Sequence, residues 1–330
     1  MRILSGVQPS GKLHIGNYFG AIAQFVELQH KGEGLYFIAD LHALTTIRDA
    51  AKLRELVHDV ALNYLALGLD PAKAILFRQS DIPEVTELAW VLSTVTPMGL
   101  LERAHSYKDK TAKGISADHG LFAYPVLMAA DILIYHSDVV PVGKDQKQHV
   151  EITRDIAVKF NQTYCPGFDP ATGEGGVLKL PKPMILDDAA VVPGTDGQKM
   201  SKSYGNTIDL FGPEKEIRKR IMSVKTDSTA LEAPKNPDTC NVFALLKLFA
   251  SPQELKEIRA QYERGGTGYG DFKKRLADYF FARFGEARKR YDSLAQDPSY
   301  VEKVLSEGAT RAREIAIRLT DQVRNATGLR

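Results

Sequence analysis

A chain of 330 residues that is 44% hydrophobic and 25% charged is long enough for a large α/β core or two domains, and too apolar to be disordered. Its formal net charge of +2 conceals an asymmetry, since residues 201–330 are more basic than residues 1–200, an excess that would suit a phosphate backbone or simply solvated helix faces. Two isolated cysteines, Cys165 and Cys240, rule out a disulfide framework or a CxxC-type zinc or iron–sulfur site, so no structural metal is expected.

The apolar strand pattern from Ile3 to Gln8 is broken by Pro9-Ser10-Gly11-Lys12, and a helix is predicted from Ile15 to about Gln29. A second strand at Leu35–Ala39 completes a βαβ opening. Alternation continues with a helix near Lys52–Leu67, a strand at Ala74–Phe77, helices near Val85–Thr94 and Leu121–Tyr135, a strand at Val139–Val142 and a helix near Gln148–Asn161. This order predicts a Rossmann-type, doubly wound parallel sheet with helices on both faces. Residues 165–198, rich in Pro, Gly and Asp, read as loop. Beyond Pro213 the pattern is almost wholly helical: Glu214–Val224, Val242–Phe249, Pro252–Glu263, Tyr269 to about Leu294, and Tyr300–Asn325. The expected division is therefore an α/β domain over residues 1–212 and an all-helical domain over 213–330. No apolar run reaches the roughly 20 residues of a membrane helix, and Met1–Gly6 runs straight into the first strand without a signal-peptide core. A soluble, cytoplasmic chain with no membrane partner is expected.

Two segments far apart in the chain carry nucleotide chemistry. A strand ending at Val7-Gln8, a tight turn and a helix beginning near Gly16 would present backbone N–H groups and a positive helix end to an anion. His14 and Asn17 can add side-chain hydrogen bonds from the same turn. Some 180 residues on, Lys199-Met200-Ser201-Lys202-Ser203 places two ammonium groups on one loop, where they can meet charge growing on a leaving pyrophosphate. A third feature is Asp131, set in the apolar run Val126–Ile134, where an unpaired carboxylate is costly. It needs a partner, either an internal donor or a ligand. Tyr124 lies about two helical turns before it and shares its face.

His14-Ile15-Gly16-Asn17 and Lys199–Ser203 resemble the two signatures of the class I aminoacyl-tRNA synthetases. The blocks Gly6-Val7-Gln8-Pro9-Ser10-Gly11, Met128-Ala129-Ala130-Asp131-Ile132-Leu133 and Val142-Gly143-Lys144-Asp145-Gln146-Lys147-Gln148-His149 are similar to the bacterial tryptophanyl branch. The resemblance covers the whole chain. It implies ATP with Mg2+, L-tryptophan and tRNA(Trp) as reactants, tryptophanyl-adenylate as intermediate, a homodimer, and an anticodon-binding role for residues 213–330. Residue by residue, it implies catalytic roles for His14, Asn17, Lys110, Lys199 and Lys202. ATP contacts carry over to Gln8, Pro9, Ser10, Gly16, Asn17, Gly143, Lys144, Asp145, Val192, Lys199, Met200, Ser201, Lys202 and Ser203. Tryptophan contacts carry over to Leu4, Gln8, His42, Tyr124, Met128, Asp131 and Gln146, with Asp131 accepting the indole N–H. The other six histidines, His149 among them, read as surface or structural, and the basic side chains Arg275, Arg283, Arg288, Lys289 and Arg290 as a solvated helix face. The chain departs from many bacterial relatives in having His14 for Thr, Lys144 for an acidic residue and Leu4 for an aromatic one. The alternatives are a tyrosyl-type synthetase, a nucleotidyltransferase for another small acid, and a catalytically silent RNA- or partner-binding relative.

Overall fold

The computed structural model describes residues 1–9, 11–103, 118–143, 147–185 and 192–329, so Ser10, Lys110, Lys144, Asp145 and Gln146 lie outside the described residues. Five strands form one parallel sheet: β1 (Arg2–Val7), β2 (Glu33–Ile38), β3 (Ala74–Arg78), β4 (Val139–Val142) and β5 (Lys182–Ile185), in the order β3-β2-β1-β4-β5. Ile3 sits opposite both Gly34 and Val139, so the order reverses direction between β1 and β4. That is the Rossmann-type doubly wound arrangement, whose ligand crevice opens at the carboxyl ends of the strands flanking the reversal. β1, β2 and β3 read as near-continuous apolar runs because helices cover both faces of the sheet. β5 falls inside the stretch that reads as loop. Its Lys182-Pro183-Met184-Ile185 pairs with Val139–Val142, and Pro183, lacking an N–H, is tolerated because β5 is an edge strand.

The sheet is wrapped by α1 (Ile15–Asn17), α2 (Ala23–Leu28), α3 (Asp40–Ala43), α4 (Ala50–Ala66), α5 (Glu84–Ser93), α6 (Met98–Glu102), α7 (His119–Leu133) and α8 (Lys147–Tyr164). The first helix is not continuous: a π turn at Tyr18–Ile22 separates α1 from α2. α4 starts where it does because Asp49 accepts the N–H groups of Ala51 (2.8 Å) and Lys52 (3.0 Å).

Five further helices follow: α9 (Glu214–Met222), α10 (Asn241–Leu246), α11 (Pro252–Arg264), α12 (Tyr269–Ala295) and α13 (Pro298–Thr327). α11 opens with Pro252 at its first position and a reciprocal Ser251–Glu254 capping box. α13 crosses the outer part of the sheet, burying Val301, Val304, Leu305, Ala309, Ala312, Ala316 and Leu319 in the same two apolar clusters that hold β3 and α5. Ion pairs rim the contact: Arg78 to Glu302 (3.0 Å), Arg313 to Glu84 (2.9 Å) and Arg324 to Glu87 (2.5 Å).

Gly308 permits the close approach of α13. A Cβ on it would lie 1.9 Å from the carbonyl oxygen of Leu76 in β3, so backbone has to move for any other residue. Gly308→Val is expected to cost about 3 kcal/mol through overpacking, read as a lower urea midpoint at unchanged slope.

Candidate active site

A cavity of about 320 Å³ opens at the carboxyl ends of β1 and β2 and beside β4, at the point where strand order reverses. Its volume is in the range of small-molecule sites. β1 contributes Leu4 and Gly6, the segment after it Gln8, α3 His42, α7 Tyr124, Met128 and Asp131, β4 Val140, and α8 His149. All six described residues expected at the tryptophan site thus line one cavity.

Asp131 is 1% exposed. His42 Nε2 lies 2.8 Å from its Oδ2, and the Gln79 amide nitrogen donates to Oδ1 at 2.8 Å and to Oδ2 at 2.9 Å. Burial pushes the carboxyl up from its ordinary value, while the hydrogen bonds from His42 and Gln79 oppose the shift. Two donor groups, the His42 ring and the Gln79 amide, leave room for another on a carboxylate. Across the cavity the Tyr124 hydroxyl and His149 Nε2 are 2.7 Å apart, and the His42 ring meets Tyr124 edge-on with centroids 6.3 Å apart. The Gln8 amide reaches the His42 carbonyl at 3.5 Å.

Gln79 and His149 escape the sequence reading. Gln79 follows β3 with no motif around it. His149 stands in the quoted Val142–His149 block and reads as structural, yet α8 turns it into the cavity, where it is 6% exposed.

The two nucleotide segments do meet. Lys202 Nζ donates to the Gly11 carbonyl oxygen at 2.9 Å across 191 positions of sequence. Ile15 N–H donates to Ile208 O (3.0 Å) and Leu210 N–H to Leu13 O (3.1 Å), zipping the first motif to the chain just after the second. Leu13, Ile15, Val192, Met200 and Ile208 are buried in one cluster. Space is tight at Gly16, where a Cβ would lie 2.9 Å from His14 Nδ1, so that the imidazole would have to shift.

These contacts change what each residue offers a nucleotide. Two N–H groups that the sequence reading leaves for an anion are used within the protein, that of Ile15 as above and that of His14 by Asn17 Oδ1 (3.0 Å). The second bond orients the Asn17 amide with its NH2 toward other partners. Val192 and Met200 have buried side chains, and Met200 N–H is bonded to Val192 O at 2.9 Å. Lys199, Lys202, Ser203 and Gly143 are exposed, Ser201 half-buried.

Asn206, 2% exposed, closes the loop between them. Its Oδ1 accepts the Ser201 N–H (2.8 Å), and its Nδ2 donates to Asp196 Oδ1 (2.7 Å) and Lys199 O (3.2 Å). Arg220 on α9 donates to the carbonyls of Thr207 and Gly205, and Arg288 on α12 to those of Leu210 (3.0 Å) and Gly212 (2.6 Å). Of the basic side chains expected on a solvated face, Arg288 is therefore turned inward. Arg283 and Arg290 stay exposed, as expected, yet each is tied to the α/β part, Arg283 donating to the Tyr18 hydroxyl (3.1 Å) and Arg290 to Ala66 O (2.9 Å).

Burial, with the Lys202 charge behind it and Asp209 opposing, pushes His14 down to about 4. Its buried Nδ1 has no hydrogen-bond partner among the described residues. His14 is thus neutral at pH 7. The unfolded chain binds this proton more readily than the fold, so His14 costs no stability above its ordinary value of 6.5 and destabilises the fold as pH drops from there toward 4. Thermal melts at pH 4.5 and 7.5 are expected to show a smaller acid loss in His14→Gln than in the wild type.

The sequence model of the family "tRNA synthetases class I (W and Y)" matches residues 1–285. A tryptophan–tRNA ligase of Rhodopirellula baltica is 55% identical over 330 residues, covering all of both chains. One of Fusobacterium nucleatum is 54% identical over 328 residues, 99% of this chain and 98% of the relative. The crystal structure of tryptophanyl-tRNA synthetase from Campylobacter jejuni complexed with ADP and tryptophan superposes with a TM-score of 0.92 at 52% identity, covering 99% of this chain and all of the other. On this footing the chain belongs to the class I tRNA synthetases of the tryptophan and tyrosine group, and within it to the tryptophanyl branch.

Proposed function

We infer that this chain activates tryptophan with ATP and transfers it to tRNA(Trp). The tryptophan carboxylate attacks the α-phosphate, pyrophosphate leaves, and the terminal ribose hydroxyl of the tRNA then takes the acyl group from the adenylate with release of AMP. The observation that carries the reading is the buried Asp131 on the wall of a ligand-sized cavity, reached by Gln8 only three positions before the Gly11 carbonyl that holds Lys202.

In this reading Asp131 accepts the indole N–H, with Leu4 and Met128 against the ring. Tyr124, Gln146, His42 and Gln8 surround the amino acid. Lys202, Lys199 and Lys110 take the phosphates, with His14, Asn17 and Gly16 at the α-phosphate end and Gly143, Lys144 and Asp145 along the nucleotide. Lys202 and Lys199 act mainly as charge grows on the leaving pyrophosphate. Magnesium enters on the triphosphate, which supplies oxygen ligands; the described residues contain no group of three or more His, Cys, Asp or Glu side chains poised for a metal.

We assign activation to residues 1–212 and anticodon contact to 213–330, where unpaired bases are read by individual side chains and phosphates by basic ones. A homodimer is supported by the exposed apolar side chains Trp90 (74% exposed) on α5 and Met98 (63%) on α6. The place of action is the cytoplasm, where tRNA is charged for translation; no helix among the described residues is long and apolar enough to cross a membrane.

The test is amino-acid-dependent ATP–pyrophosphate exchange with tryptophan, tyrosine and phenylalanine at fixed ATP and Mg2+. Exchange with tryptophan alone is expected. Exchange with tyrosine instead would move the chain to the tyrosyl group, and none with any of the three would remove the activation step.

A further inference from the structure

Asp131 is held by a residue that no motif points to. Gln79 opens the short 3-10 turn Gln79–Asp81 directly after β3 and is 1% exposed. Its Oε1 accepts the backbone N–H of Leu41 at 3.1 Å and of His42, more weakly, at 3.4 Å. Since only an oxygen can receive those two donors, the amide NH2 is forced toward Asp131, where it spans both carboxylate oxygens. One side chain therefore ties the start of α3, which carries His42, to the middle of α7, which carries Asp131. Oδ2 takes two donors, from His42 and Gln79, whereas Oδ1 takes only the Gln79 amide. Of the two oxygens, Oδ1 has the more acceptor capacity left.

We infer that Gln79 is a specificity-determining positioning residue: by spanning the Asp131 carboxylate from below it fixes one rotamer and reserves Oδ1 for an aromatic N–H entering the cavity. This rests on the reading of Asp131 as the indole acceptor. The groups around that carboxylate are His42 and Asp40 on α3, Gln79 after β3, and Tyr135 just beyond α7, with Tyr124 and His149 across the cavity. Burial and Asp40 favour the protonated carboxyl, and His42 and Gln79 favour the carboxylate. Taking Gln79 away shifts this balance toward protonation. Tryptophan recognition then fails at a higher pH than it does in the wild type.

The experiment compares full-length wild type, Gln79→Met, Gln79→Glu and Asp131→Asn in pyrophosphate exchange, measuring KM for tryptophan, KM for ATP and the pH profile of kcat/KM for tryptophan. Gln79→Met is expected to raise KM for tryptophan about 10- to 100-fold, the loss of one hydrogen bond to a charged group, with KM for ATP changed less than about twofold. Its kcat/KM for tryptophan falls at higher pH on acidification than that of the wild type. Gln79→Glu keeps size and shape but sets a second carboxyl against Asp131, and shifts the profile in the same direction. Unchanged ATP kinetics also show that each variant is folded. If KM for ATP rises in step with that for tryptophan, or the pH profiles superimpose, Gln79 is only a staple between α3 and α7 and the inference is overturned. If Asp131→Asn itself leaves tryptophan kinetics and selectivity intact, the assignment of Asp131 and this inference fall together; if Asp131→Asn weakens tryptophan and neither Gln79 variant does, only the inference falls.

Discussion

Lys202→Ala is expected to slow tryptophan-dependent pyrophosphate exchange about 10²- to 10³-fold while moving the Kd for tryptophan less than about twofold. Lys202 is not among the residues that line the tryptophan cavity. Its ammonium rests on the Gly11 carbonyl, where partial burial pulls its pKa below the usual lysine value and the nearby Asp209 and Asp59 oppose that shift. A triphosphate entering beside Gly11 offers that ammonium better partners than a neutral carbonyl, and the gain grows as pyrophosphate separates with more charge than it carried in ATP. The effect therefore belongs in kcat more than in ground-state binding. Tryptophan binding can be followed by calorimetry without ATP, and exchange by isotope incorporation. A parallel loss of tryptophan affinity would mean that Lys202 holds the fold of the site rather than the transition state.

Asp131→Ala is expected to weaken tryptophan about 10- to 100-fold, the worth of a hydrogen bond to a charged acceptor, and to erode selectivity against phenylalanine more than affinity. A site built around a ring N–H rejects a substrate lacking it by as much as about 10⁴-fold, because a buried acceptor is then left unpaired. Removing the acceptor removes that penalty, so phenylalanine gains relative to tryptophan. The alanine variant also strands the donors of His42 and Gln79, so the melting temperature is expected to fall as well. Competition between the two amino acids in one exchange assay reads selectivity independently of the amount of folded enzyme. An unaltered ratio would move the determinant away from Asp131.

The parts of the molecule that were legible in the sequence are those set by local pattern. β1, β2 and β3 announce themselves as apolar runs because both their faces are covered, and the long C-terminal helices by their 3.6-residue periodicity. The nucleotide segments stand out because phosphate chemistry needs particular residues in a row. β5 was hidden because an edge strand bearing proline has the composition of a loop. Gln79 and His149 were hidden for a different reason: Gln79 acts through Leu41 and Asp131, and His149 through Tyr124, partners 25 to 52 positions away that local pattern does not reveal. The basic residues of α12 show the same limit. Helical spacing places Arg283, Arg288 and Arg290 on the helix, but only the tertiary fold shows that they reach Tyr18, Leu210, Gly212 and Ala66.

The docking of α13 on β3 has a bearing on how such a chain can be cut and joined. A gene fragment ending at residue 212 keeps every strand of the sheet and both nucleotide segments, yet strips the apolar surface of Ile75, Phe77, Val85 and Leu88 of its helical cover. Such a fragment is expected to aggregate on expression rather than yield a minimal activating enzyme. Supplying residues 213–330 as a separate polypeptide should rescue solubility, since the surfaces that must meet are intact on both pieces. The anticodon contact proposed for residues 213–330 would thus share its stretch of chain with completion of the core, so that removing the one removes the other.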